Sequence, residues 1–365
     1  MSVPHVVVGL SGGVDSAVSA WLLKEQGYRV SGLFMVNWTE DEQGYCTSAE
    51  DFQSARAVCE ELGIPLHRVD FSADYRQRVF DRFLADYAAG KTPNPDILCN
   101  REVKFQPFRE HALRLGADFV ATGHYARIEQ LADGSRLLRA VDDNKDQTYF
   151  LAAVAREHFD RVLFPIGGLT KPMVRDIARR SGLPNHTRKD STGICFIGER
   201  EFRAFLERYL QHEPGPIEDD GGQAIGSHQG LSFYTLGQRR GLAIGGRRGA
   251  REAPWYVVGK DSERNVLIVS QEANHPLLMA TRIAASGFHW IRQTATPGAQ
   301  LTARIRHRQS LQACRLLSMS PESVEVDFEN PQRAAVAGQY LVLYDGQECL
   351  GGGEIATAAT TPIKI

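Results

Sequence analysis

Two short stretches carry the residues best suited to covalent chemistry. Pro93–Asn100 reads PNPDILCN and Ser191–Gly198 reads STGICFIG. A thiol attacks as its thiolate, and nearby charges and helix ends set how much thiolate is present. Two prolines stiffen the approach to Asp96 and Cys99, so a carboxylate and a thiol are delivered to one place. A helix is expected to begin near Arg101, leaving Cys99 just before its N-terminus with Lys104 a turn later, a setting that lowers a thiol pKa. Cys195 follows Ser-Thr-Gly in an expected loop. The other cysteines, Cys46, Cys59, Cys314 and Cys349, read as small buried hydrophobes. Cys59 falls on an amphipathic helix beside Ala55 and Leu62, and Cys349 in a strand. No Cys-x-x-Cys pair is present, so neither a zinc ribbon nor a thioredoxin-like motif is supported.

The third chemical signal is GLSGGVDS, from Gly9 to Ser16. It links an expected strand to an expected helix. Glycines let backbone amides approach an anion, and the helix N-terminus favours negative charge. No lysine follows in the Walker position, and the glycine spacing does not match a dinucleotide-binding turn. Gly9-Leu10-Ser11-Gly12-Gly13 does match the G-x-S-x-G elbow of hydrolases. That fold draws part of its oxyanion hole from an upstream loop, and only eight residues precede Gly9. A phosphate-binding loop is therefore the better reading.

These residues need a scaffold. VPHVVVGL, YRVSGLFMV, PLHRVDF and ADFVATG read as strands. Residues 14–27, 48–62, 74–89 and 101–115 read as helices between them. Strands alternating with such helices imply an α/β fold with a parallel sheet. Ligands then sit beyond the strand ends, here Gly9–Gly13, Met35–Trp38 and Thr122–His124. From about 124 to 211 the pattern becomes a hairpin with several helices. Residues 212–279 form a glycine-rich β segment, and 280–365 alternate like a small β-barrel. The expected units are thus 1–211, 212–279 and 280–365.

Composition narrows the class. The 365 residues are 42% hydrophobic and 24% charged, as in a globular protein. A net charge of −2 argues against a strongly basic nucleic-acid coat, though a local patch can still bind RNA. No apolar run of about 18 residues is present, so no membrane span is expected. The N-terminus lacks a basic region and reads as a first strand rather than a signal peptide. Six sparse cysteines fit a reducing cytoplasm.

SGGVDS resembles the pyrophosphate-loop (PP-loop) signature of enzymes that cleave ATP between its α and β phosphates. The resemblance implies that Gly9, Leu10, Ser11, Gly12, Gly13, Val14, Asp15 and Ser16 form the ATP-binding loop. In it Ser11, Gly12, Gly13 and Ser16 cradle pyrophosphate and Asp15 helps to hold Mg²⁺; Met35 and Gly123 contact adenosine. The ordered set of this loop, PNPDILCN, KDQTYFL (Lys145–Leu151), STGICFIG, HQGL, TLGQRRGL and CLGGG resembles the bacterial tRNA-specific 2-thiouridylase family over essentially the whole chain.

That resemblance implies ATP-dependent 2-thiolation of the wobble uridine of tRNA. Cys195 would carry a persulfide received from a sulfur-relay protein, and Cys99 would be the nucleophile that pairs with it in a transient disulfide. Asp96 would be the acid/base, with Asn94 and Pro95 lining the base pocket. His124, Lys145, Asp146, Gln147, His307, Arg308 and Gln339 would contact tRNA. A cytoplasmic monomer is the expected state.

Two arginine clusters offer an RNA surface. RIRHR read as a strand places Arg304, Arg306 and Arg308 on one face. Arg239, Arg240, Arg247, Arg248 and Arg251 lie in a glycine-rich segment. Other readings are an ATP-dependent amide-forming synthetase resting on SGGVDS alone, a non-catalytic RNA-binding module, and an iron–sulfur site at Asp96, Cys99 and Cys195. The last offers fewer thiolates than such clusters usually need.

Overall fold

The computed structural model describes residues 2–38, 47–132, 134–190, 206–210, 212–244, 253–292 and 295–359. The chain begins with β1 (His5–Gly9), α1 (Val14–Glu25), β2 (Arg29–Val36), α2 (Thr47–Leu62) and β3 (Leu66–Asp70). Next, α3 (Ser72–Tyr75) runs through a wide helical turn into α4 (Asp81–Ala88). α5 (Pro95–Cys99) runs into a second wide turn, Asn100–Lys104, before α6 (Pro107–Arg114) and β4 (Phe119–Thr122). A hairpin of β5 (Ala126–Leu131) and β6 (Gly134–Arg139) follows, then α7 (Thr148–Leu151), β7 (Val162–Leu163) and α8 (Lys171–Arg180).

The first sheet has the order β3-β2-β1-β4-β7 and is parallel throughout. Successive side chains of β1 point to opposite faces. Val6 and Val8 pack with Val18, Leu23, Val58 and Val174 from α1, α2 and α8. Val7 packs on the other face with Phe80, Phe83, Leu98 and Phe108. Both faces are covered, which is why β1 reads as an unbroken apolar run. Cys59 lies in the first of these cores, as its helical spacing predicts.

One helix was expected over 101–115. The helical chain instead starts at Pro95 and breaks at Phe105–Gln106, and α6 restarts at Pro107. Proline suits a first helical turn but gives no N–H to a helix already under way.

The second part is a mixed sheet of β8 (Gly215–Asp219), β9 (Ala224–His228), β10 (Tyr256–Asp261) and β11 (Val266–Ser270), in the order β10-β11-β8-β9. Its core holds Ile217, Tyr234, Val257, Leu267 and Val269. The third part contains β12 (Met279–Trp290), β13 (Gln300–Arg304), β14 (Gln312–Met319), β15 (Ser323–Arg333), β16 (Tyr340–Asp345) and β17 (Glu348–Ala359). These antiparallel strands run β12-β15-β14-β13-β16-β17 and close through β12–β17 pairing into a barrel. Leu341 and Leu343 of β16 point into it. Tyr340, Val342 and Tyr344 point outward onto Tyr149 and Leu151 of the first domain. The β5–β6 hairpin extends the barrel's sheet through Leu138 opposite Glu348. Two-sided burial of β16 thus joins the barrel to the first domain.

The strand expected over RIRHR ends early. β13 stops at Arg304, and Gln309 Oε1 accepts from the Ile305 amide at 2.9 Å to hold a turn. Arg304 is buried, Arg306 donates to the Arg333 carbonyl, and Arg308 is exposed. The three arginines do not share a strand face. Among the described residues, no helix is long and apolar enough to cross a membrane.

Candidate active site

Residues Gly9–Ser16 connect β1 to α1 at the carboxyl edge of the parallel sheet. Ser16 Oγ accepts from the Ser11 amide at 3.2 Å and donates to the Gly13 carbonyl at 3.0 Å. Ser11 Oγ accepts from the Gly13 amide at 3.3 Å. The two serines therefore fold the loop on itself. Gly12 has a φ of 79°, and its carbonyl accepts from Ser54 Oγ (2.7 Å), Asn185 Nδ2 (2.9 Å) and Arg188 (3.2 Å). Leu10 and Val14 are buried in the core, so these two can serve a nucleotide only through their backbone. Met35 is half-buried near the end of β2. Gly123 follows β4 so closely that a Cβ there would lie 2.7 Å from the Ser16 amide nitrogen.

Beside the loop stands an ionic web in which Asp15 and Lys145 are joined by Lys171, Arg175 and Asp190, three residues that no sequence motif marks. Asp15 Oδ1 accepts from Lys171 Nζ at 2.7 Å and from the Tyr125 hydroxyl at 2.9 Å. Lys171 also lies 2.8 Å from Asp190, which Lys145 (2.7 Å) and Arg175 (2.5 Å) reach as well. Burial opposes ionisation of Asp190, but the ammonium groups of Lys145 and Lys171 outweigh it and hold the carboxyl well below its ordinary range. Burial, then the Asp15 charge, raises the Tyr125 phenol strongly, so it acts as a hydrogen-bond donor. Lys171 is 156 residues from Asp15, and no local motif marks it.

The PNPDILCN segment is fastened before it begins. The Thr92 amide donates to Ala337 of the barrel at 2.9 Å, and Lys91 Nζ lies 2.8 Å from Glu354. Thr92 Oγ1 reaches Thr235 of the central domain at 3.3 Å. Asn94 then caps α5: its Oδ1 accepts from the Asp96 and Ile97 amides at 3.1 and 3.2 Å, with Pro95 in the first turn. Asp96 is half-buried and Cys99 is 1% exposed. Cys99 ends α5 and leads into another helical turn, so the expected helix N-terminus at this thiol is not there. The rigid cap belongs to Asn94 instead. Cys195 and Cys46 lie outside the described residues.

Cys314 and Cys349 are buried in the barrel sheet; burial pushes the first up to about 12 and the second higher still. Both match the hydrophobe reading, as does Cys59, which burial also pushes up to about 12.

The residues expected to meet RNA converge only in part. Asn100 Nδ2, next to Cys99, donates to the Phe150 carbonyl at 3.2 Å. The Phe150 ring lies 4.2 Å from the His307 ring. PNPDILCN, KDQTYFL and the turn after β13 thus meet at one place. Gln147 Oε1 accepts from the Tyr125 amide at 2.8 Å. The Gln339 Oε1 is buried with no hydrogen-bond partner. His124 sits at the sheet's ligand edge, with Nδ1 2.8 Å from Thr122 Oγ1; burial, aided by Lys104, drives its pKa far down. Burial also lowers His307, so both rings are neutral near pH 7. Asp146 is 1% exposed and turned inward. Arg239 and Arg240 are exposed, while Arg247, Arg248 and Arg251 lie outside the described residues. Among the described residues no cluster of three or more His, Cys, Asp or Glu could hold a metal ion.

A glycine loop between a parallel strand and a helix, carried by a three-part α/β and β-barrel chain, defines a HUP-domain protein with two appended β domains. Residues 4–199 match the family model described as tRNA methyl transferase HUP domain. Residues 203–271 match its PRC-barrel domain and 280–355 an aminomethyltransferase beta-barrel domain. The chain is 55% identical to the tRNA-specific 2-thiouridylase MnmA of Alcanivorax borkumensis, over 97% of this chain and 98% of the relative. It is 53% identical to that of Pseudomonas paraeruginosa, over 97% and 95%. It belongs to the tRNA-specific 2-thiouridylase family. Among solved structures, the U34-tRNA thiolase NcsA of Methanococcus maripaludis, solved with its [4Fe-4S] cluster, is 20% identical with a TM-score of 0.35, covering 57% of this chain and 65% of that one.

Proposed function

We propose that this protein transfers sulfur to C2 of the wobble uridine of tRNA, using ATP to activate the C2 oxygen. Near-full-length identity to 2-thiouridylases supports the reaction class. The observation that carries the reading is the meeting of PNPDILCN, KDQTYFL and the post-β13 turn through Asn100, Phe150 and His307. An amide-forming synthetase would need the glycine loop but no such junction.

In this reading the uridine O2 attacks the α-phosphorus of ATP and pyrophosphate leaves onto Ser11–Ser16. Mg²⁺ would be held by Asp15 together with the phosphates, since this ion usually takes one or two carboxylates plus substrate oxygens. The terminal sulfur of a Cys195 persulfide attacks C2 and AMP departs. The Cys99 thiolate then attacks the Cys195 sulfur, the S–S bond to the substrate breaks, and 2-thiouridine leaves with the electron pair. The two cysteines end as a disulfide, which a cellular thiol reductant must reopen. Asp96 moves the proton near the base, with Asn94 and Pro95 beside it. Base flipping is required because C2 is not reachable in a stacked anticodon. Residues 1–211 form the catalytic unit, with 212–279 and 280–365 helping to hold tRNA. The chain acts as a cytoplasmic monomer supplied by a persulfide relay protein.

The test is equilibrium binding of unmodified tRNA followed by single-turnover release of AMP. AMP formed only when the tRNA carries uridine at the wobble position supports the reading, and AMP formed regardless of that base counts against it.

A further inference from the structure

We infer that Asp146 is a positioning residue which locks the C-terminal barrel onto the catalytic domain and so sets where His307 and Arg308 meet tRNA. This rests on the tRNA reading above.

The carboxylate is saturated from inside. Oδ2 accepts from Arg304 of β13 at 2.7 Å and from Thr148 Oγ1 at 2.9 Å. Oδ1 accepts from the Ala140 amide and Thr148 Oγ1, both at 3.0 Å. Arg139 stands 3.8 Å away. The side chain has no exposed surface, so it cannot touch RNA without abandoning Arg304. A buried charge stripped of its partner is costly, which fixes this arrangement.

The consequences reach the surface in one step. The Asp146 carbonyl is 3.1 Å from His307 Nε2, so the same residue holds Arg304 by its side chain and His307 by its backbone. Arg304 ends β13, and His307 and exposed Arg308 follow in the turn. Lys145 and Gln147 on either side tie to Asp190 and Tyr125 of the catalytic domain. Three consecutive residues therefore anchor two parts of the molecule, Lys145 and Gln147 the catalytic domain and the Asp146 carboxylate the barrel.

The test uses the full chain and compares D146N, R304Q, T148V, H307A and the D146N/H307A double variant. tRNA and ATP-analogue dissociation constants are measured by equilibrium binding, and folding is checked by thermal melts. A positioning role predicts that D146N and R304Q weaken tRNA binding alike, by roughly tenfold, with ATP-analogue affinity unchanged, and that D146N/H307A is no weaker than either single variant. T148V, which keeps both charges and removes only the hydroxyl donor, carries the test should the charge variants fail to fold. It is expected to weaken tRNA binding in the same direction. Loss in D146N without loss in R304Q, additive effects with H307A, or wild-type affinity in T148V and D146N would each overturn the inference. Absence of tRNA binding by the wild type would sink the functional reading itself.

Discussion

Lys171 places its ammonium 2.7 Å from Asp15 of the glycine loop and 2.8 Å from Asp190. It borders the glycine loop through Asp15, and its side chain is only 12% exposed, so its charge is weakly screened. K171Q is expected to weaken binding of ATP and pyrophosphate by about tenfold or more while leaving tRNA affinity unchanged, since charge-assisted bonds to phosphate are strong. Titration calorimetry with a non-hydrolysable ATP analogue and with pyrophosphate decides the matter. Unchanged affinities would assign Lys171 to the Asp190 web alone.

Gly123 should tolerate no side chain. A Cβ 2.7 Å from the Ser16 amide has to push the glycine loop away from β4. G123A is expected to cost about 1–3 kcal/mol, as overpacking does. It should lower both the melting temperature and ATP-analogue affinity. A variant that melts normally and binds normally would mean that the loop gives way without cost.

Asn94 should matter more to catalysis than to folding. Losing an N-cap typically costs about 1 kcal/mol. Because this cap orients the turn that carries Asp96 and Cys99, N94A is expected to reduce kcat for thiolation by more than tenfold, beyond what about 1 kcal/mol of stability would explain. The paired measurements are chemical denaturation and single-turnover thiolation.

The fold was legible where local pattern decides it. The apolar run of β1 and the helix carrying Cys59 follow from period and burial alone. The strand expected over RIRHR ends early, and a period of two cannot tell an exposed arginine face from one arginine buried on a distant aspartate. The expectation that Cys99 precedes a helix fails because the helical chain already starts at the Asn94 cap, and the break falls later, at Pro107. Lys171 and Asp190 cannot be found by spacing, since only the packing of α8 against α1 brings Lys171 to Asp15, and Asp190 joins through Lys171. Motif order located the chemistry, and tertiary packing supplied its electrostatics.

Acid should destabilise the protein through its buried imidazoles. His124 is buried, and its pKa lies far below the ordinary 6.5. The unfolded chain then binds more protons than the native one below about pH 6.5, so stability falls as pH drops through that window and on toward the native pKa. Burial lowers His307 too and adds the same sign. Thermal melts at about pH 7.5 and about pH 5.5 should show a smaller acid-induced drop in H124Q than in the wild type. Equal drops would place the acid sensitivity elsewhere.

Two cysteines and ATP are proposed to put sulfur on tRNA. The protein should be incubated with unmodified tRNA, Mg²⁺, ATP and a persulfide donor, and the digested RNA read for 2-thiouridine by mass spectrometry. Wild type should form the product only with ATP, while C99S and C195S should each fall by about a thousandfold or more. Full thiolation by C195S with the persulfide donor, or by the wild type without ATP, would contradict the account.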